Sequence, residues 1–247
     1  MAYQTFTALR RGYTHPLFCE DFLFTHQLGD RFQVMAVMDG SSMGETSFFA
    51  STLVAKLLRR VCTQIVYLPV FNAPLSLSQL GELLIKQLFD ELKQARNALF
   101  LSQEETLTTL LLAITDQTLQ QSWVMAIGDG VLLVNDHLQV FNQDNQPDYL
   151  GYHLHCSTEE WWRTQPPPSV FSQVNRLVLA TDGLLAIDFV SPPENIQTWA
   201  QRLLTAPLPS AKPHALDQLL SRWLKSHEGT PQDDIAIVCL QQSSFIS

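Results

Sequence analysis

Apolar residues along the chain follow two rhythms. Short runs at 3–8, 21–28, 31–38, 108–115, 121–127, 131–135, 175–181 and 235–240 are rich in β-branched and aromatic residues and predict strands. Within them, 34–38, 110–114 and 177–180 are apolar at every position. Such strands need cover on both faces and belong between layers.

The second rhythm is helical. Over 78–101, Leu80, Leu83, Leu84, Leu88, Leu92, Ala95 and Leu99 form one stripe, with Glu82, Lys86, Asp90, Lys93 and Arg96 off it. Further helices are predicted at about 44–61, 193–206 and 211–227, the last stopping at Glu228-Gly229 in the manner of a glycine stop. The order of strands, two helices, strands, two helices and a final strand predicts an α+β layout with helices covering sheets. Proline-rich stretches at 165–169 and 207–213 read as connectors within a single domain over 1–247.

Composition narrows the picture. With 46% hydrophobic and 16% charged residues, the chain can bury a continuous core. A net charge of −9, with no basic run longer than the pairs Arg10-Arg11 and Arg59-Arg60, argues against a nucleic-acid partner. Cys19, Cys62, Cys156 and Cys239 are widely separated, which fits a reducing cytoplasm. No segment approaches the roughly 20 apolar residues that cross a bilayer, so no membrane partner is expected.

The candidate chemistry lies in acids at strand ends. Asp39-Gly40, Asp129-Gly130 and Asp182-Gly183 each follow an apolar strand, and Asp-Gly is by itself a turn signal. After Asp129-Gly130 another strand pattern begins, so a hairpin is expected and Asp129 is read as structural or as a support to the residues that bind. After Asp39-Gly40 and Asp182-Gly183 no alternating return strand follows. A carboxylate at the mouth of an apolar strand is costly to desolvate alone, and a cation is one remedy. Glu20-Asp21 and Asp233-Asp234 open two further strands. Carboxylates and backbone carbonyls suit Mg²⁺ or Mn²⁺, although acidic turns are common in any soluble protein.

Taken in order, Glu20-Asp21, VMAVMDG followed by Gly44-Glu45 and Ala50-Ser51, Thr108-Thr109, AIGDG, LVLATDGLLAID and DDIAIVCL resemble the motif series of the type-2C metal-dependent phosphatases across roughly residues 10–241. The resemblance, to a divergent bacterial-like member, implies a four-layer α-β-β-α sandwich with two central, mainly antiparallel sheets. It also implies two Mn²⁺ or Mg²⁺ ions and a phosphorylated protein as substrate. Asp39 would bridge both ions, the Gly40 carbonyl would bind one, and Asp182 and Asp233 would complete the other shell. Glu20 and Asp21 would act mainly through water.

The chain departs from the family pattern before the acidic pair, where an arginine usually grips phosphate. Here His15 stands in that stretch, and Arg10 and Arg11 are the nearest arginines. Ser41-Ser42-Met43 replaces a glycine-rich turn, and the segment between Gly130 and Asp182 is short. Asp144 and Asp148 read as loop residues rather than ligands of a third ion. His153, His155 and Cys156 lack a fourth zinc ligand, Trp161-Trp162 reads as cover for a core or sheet edge, and Ser41 and Ser42 lack a nucleophile elbow. The alternative to a phosphatase is a phosphatase-like binding module; a small-ester hydrolase is a third reading.

Overall fold

A computed structural model describes residues 2–15, 17–44, 46–68, 71, 75–143, 147–193, 195–208 and 212–243. Asp144 lies outside the described residues.

The two-faced apolar strands divide their side chains between cores. On β3 (Phe32–Met38), Val34, Ala36 and Met38 face one core, while Met35 and Val37 face another. On β12 (Ile235–Gln242), Ile235, Ile237 and Cys239 face outward, and Ala236, Val238 and Leu240 face the same inner core as Met35 and Val37. Strands paired on both edges and covered on both faces must be apolar throughout, which explains the unbroken runs.

Two antiparallel five-stranded sheets result. In spatial order, one holds β1 (Tyr3–Arg10), β12, β9 (Arg176–Ala180), β6 (Gly130–Val134) and β7 (His137–Phe141). The other holds β2 (Phe22–Leu28), β3, β4 (Leu110–Asp116), β5 (Gln121–Ile127) and β8 (Ser169–Ser172). The outer face of the second sheet packs on α1 (Phe49–Ile65), α2 (Leu77–Leu99) and α3 (Thr158–Thr164). The outer face of the first packs on α4 (Ile196–Thr205) and α5 (Ala215–Ser226). The expected four-layer α-β-β-α sandwich is therefore the observed one. A small ribbon, β10 (Ile187–Phe189) with β11 (Gly229–Pro231), sits beside it.

Local chemistry fixes these elements. Ser76 caps α2 in a reciprocal box with Gln79, and Ser157 does the same for α3 with Glu160. Gly81 lets α2 lie against the Trp123 indole, since a Cβ there would come within 2.4 Å of the ring. Trp161 stacks on Phe89 at 4.2 Å and 3°, the core-covering role expected of it.

Three expectations need correction. The first helix starts at Phe49 rather than near 44, because the preceding residues form turns. The stop after α5 is not a glycine cap: Glu228 takes the left-handed conformation (φ 49°), and Gly229 is needed for close approach to Phe189 and Ile187. The pair Asp129-Gly130 is not a hairpin, because β5 and β6 lie in opposite sheets. Gly128 (φ 81°) and Gly130 (φ 156°) instead carry the chain from one sheet to the other.

Candidate active site

Strand ends at one edge of the sandwich carry the acids. β3 runs into Asp39, whose N–H donates to Thr109 Oγ1 (3.0 Å) and whose carbonyl accepts from Thr109 N–H (2.9 Å) and Thr108 Oγ1 (2.8 Å). β2 begins after Asp21, a buried carboxylate that accepts a bond from Thr181 Oγ1 at 2.6 Å. β9 leads to Thr181-Asp182, and β12 starts after Asp233-Asp234. Gly40 packs tightly here, as an added Cβ would meet Ser47 O at 2.6 Å and Glu20 O at 2.8 Å.

The side chains interact strongly. Asp21 and Asp39 share a hydrogen bond, and both carboxyls are held well above the usual range, first by burial and then by neighbouring acids. For Asp39 those neighbours include Asp21, Asp182 and Asp233. Burial, followed by the charges of Asp233 and Asp129, pushes Asp182 up to about 6. Asp233 is raised by burial too, and is opposed by its bond to the Asp234 N–H (2.7 Å) and by His15. The structure thus brings Asp21, Asp39, Asp182 and Asp233 together, with Asp129 beside Asp182, a place compatible with the structural or supporting role read for it from the sequence.

Asp234 has a different task. Fully buried, it accepts from the N–H groups of Gly12 (2.6 Å) and Glu20 (2.5 Å) and contacts His15 Nδ1 at 3.0 Å. It thereby clamps the strap 11–20 to the start of β12. Gly12 permits this, since a Cβ there would lie 2.3 Å from Gln232 O. His15 stands among Asp234, Asp233 (3.4 Å) and Glu20 (3.6 Å), and Glu20 Oε2 also accepts from Ser42 Oγ at 2.8 Å.

Of the two arginines considered for phosphate, Arg10 is turned away from the acids. It reaches to α5, pairing with Asp217 Oδ2 at 2.9 Å and bonding Ser221, and Arg11 is exposed at the head of the strap. Asp148 is not merely solvated: it pairs with His153 Nε2 at 2.6 Å, while His155 bonds the Tyr152 carbonyl. Tyr149 was not foreseen. Its phenol, hydrogen-bonded to Ser41, is pushed up to about 12 by burial and then by Asp39. Thr181 and Asp234 did have a signal in the sequence, as polar residues at the mouths of wholly buried strands; Tyr149, in a loop, had none.

Among the described residues, no group of three or more His, Cys, Asp or Glu side chains is already arranged to hold a metal ion. The donor set nonetheless suits hard divalent cations, being all oxygen and mostly anionic. The carboxyls are raised first by burial and then by one another's charge, and bound positive charge offsets both.

Comparison with known proteins agrees with the fold. A family model described as protein phosphatase 2C matches residues 11–225. No curated protein sequence matches the chain. Among solved structures, the serine/threonine phosphatase Stp1 of Staphylococcus aureus is 17% identical, with TM-score 0.63 over 98% of this chain and 95% of that one. PppA, a regulatory component of the T6SS in Pseudomonas aeruginosa, is 18% identical, with TM-score 0.59 over 98% of each chain. The phosphatase domain and regulatory fragment of SpoIIE from Bacillus subtilis is 17% identical, with TM-score 0.63, and this chain spans 98% of its own length but 63% of that one. At these identities the structures speak to fold.

Proposed function

The chain belongs to the protein phosphatase 2C family, and from that premise we propose that it is a cytoplasmic, metal-dependent phosphatase acting on phosphoserine or phosphothreonine in proteins, with one catalytic domain over 1–247. The observation that carries this reading is the convergence of Asp39, Asp182 and Asp233, acids from three strand ends whose charges act on one another. A scaffold gains nothing from burying mutually repelling carboxylates, whereas a cation site requires them. No helix among the described residues is long and apolar enough to cross a membrane.

In this reading Asp39, the Gly40 carbonyl, Asp182 and Asp233 would hold two Mn²⁺ or Mg²⁺ ions, and Glu20 and Asp21 would act through water. Bound divalent cations supply water activation for in-line attack on phosphorus and neutralise the phosphoryl oxygens. The protein contributes orientation. Thr108 and Thr109 fix the backbone of Asp39, and Thr181 holds the Asp21 carboxyl. Asp234 orients the His15 ring beside Asp233 and Glu20. His15 then takes the phosphate-facing place, as Arg10 is committed to α5.

The absence of Arg10 from the cluster also favours the second reading, a phosphatase-like binding module. Hydrolysis of an aryl phosphate and of a phosphothreonine peptide, with added Mn²⁺, separates the two when wild type and Asp39→Ala are compared. Turnover confined to the wild type supports the enzyme; equal background in both supports the module.

A further inference from the structure

Beside the acidic cluster lies a groove of about 340 Å³, lined among others by His15, Leu17, Phe18, Glu20, Ser42 and Thr46. Leu17 is 77% exposed and Phe18 54%, an unusual outlay of large apolar side chains next to a charged centre. The Phe18 ring is braced by Phe48 at a centroid distance of 4.7 Å, so this wall is already formed.

The polar groups of the groove are largely engaged within the protein. Thr14 Oγ1 donates to Gln232 O (2.6 Å), Ser42 Oγ donates to Glu20 (2.8 Å), and His15 contacts Asp234 (3.0 Å). Beyond these groups and the hydroxyls of Thr46 and Ser47, the groove offers an incoming molecule the apolar surface of Leu17 and Phe18. The volume is near the lower end of the roughly 300–1,000 Å³ typical of small-molecule sites. That suits one or two side chains.

His15 and Glu20 also form the link to the catalytic cluster, since both lie beside Asp233 or Asp234. A phosphorylated residue seated at the acids therefore places its chain neighbour over this groove. Resting on the phosphatase reading, we infer that Leu17 and Phe18 form a subsite that selects polypeptide substrates bearing an aliphatic or aromatic residue next to the phosphorylated serine or threonine.

The test uses the full chain with Mn²⁺. Matched phosphothreonine peptides carry Leu or Ser at each position flanking the phosphoresidue, with an aryl phosphate as a substrate that has no neighbour. Wild type is expected to favour a Leu peptide by about tenfold to a hundredfold in kcat/KM, mainly through KM, the range that burial of one side chain provides. Leu17→Ser and Phe18→Ser erase that preference and leave aryl phosphate turnover unchanged, and Phe18→Leu retains it. Both residues are exposed, so folding is preserved. Equal use of Leu and Ser peptides by the wild type, or a preference that survives both serine variants, overturns the subsite. If no phosphate ester is hydrolysed, or Asp39→Ala hydrolyses as well as wild type, the phosphatase reading fails. Fluorescence anisotropy of the labelled peptides then still decides, because equal binding of the Leu and Ser peptides removes the subsite as well.

Discussion

The two ends of the sandwich treat buried charge in opposite ways. At the far end, Asp116 is almost fully buried, yet it has Arg31 Nε at 2.7 Å and the N–H groups of Thr118 (2.9 Å) and Leu119 (3.0 Å). Arg176, also at that end, donates to the carbonyls of Thr205 (3.2 Å) and Ala206 (3.1 Å). Asp116 thus has a cation of its own, and Arg176 has two carbonyls, although its buried Nε has no hydrogen-bond partner. At the near end, Asp21, Asp39, Asp182 and Asp233 press on one another, and their carboxyls are raised for that reason as well as by burial. The near end is therefore set apart by acids that face one another, where the buried acid of the far end faces a cation.

The sharpest way to break this contrast is Asp39→Ala, expected to reduce Mn²⁺-dependent turnover of an aryl phosphate by about 10²–10³-fold or more. Stopped assays on matched protein concentrations measure it. Next is Asp182. Its carboxyl is raised to about 6 from 3.8, so the folded state binds the proton more tightly than the unfolded one. Stability from this group is full below about 4 and is lost as pH rises through about 6. In a chelator, Asp182→Asn should remove that loss, amounting to about 3 kcal/mol near neutral pH at roughly 1.4 kcal/mol per pKa unit. Urea melts at pH 4.5 and pH 7.5 test it, and a wild type that gains stability over that interval relative to the variant would refute it.

A smaller effect is expected at the strap. Gly12→Ala forces a Cβ into Gln232 O and should cost about 1–3 kcal/mol, an ordinary overpacking penalty. Thermal denaturation gives the loss. Peptide turnover should fall with it, as His15 shifts. The smallest effect belongs to the far end, where Arg31→Ala should cost about 1 kcal/mol, since Arg31 is half exposed. Its kcat should match that of the wild type; a drop there would show that the two ends are coupled.

The sandwich was readable from the sequence where burial imposes a pattern. β3, β4, β9 and β12 are apolar at nearly every position because they are sealed on both faces. β7 and β8 went unread: they are edge strands with largely exposed or half-buried residues, so no buried face marks them. α3 is a short helix whose paired tryptophans hide its period. Of the site, Asp39, Asp182 and Asp233 were legible because acids at the mouths of apolar strands are conspicuous. The departure of Arg10 toward Asp217 was not, because that contact spans 207 positions. Nor was the crossing at Asp129, since an Asp-Gly pair reads alike whether the next strand returns to the same sheet or joins the facing one.

The bond from the Glu20 N–H to Asp234 spans 214 positions, and β1 pairs with β12 along its whole length. During synthesis, the earliest strand must therefore wait, unpaired on that edge, until the segment around 234–242 has emerged from the ribosome. Assembly of the acids is thus timed to late translation, and a nascent chain halted before that segment leaves β1 and β9 without the strand that lies between them.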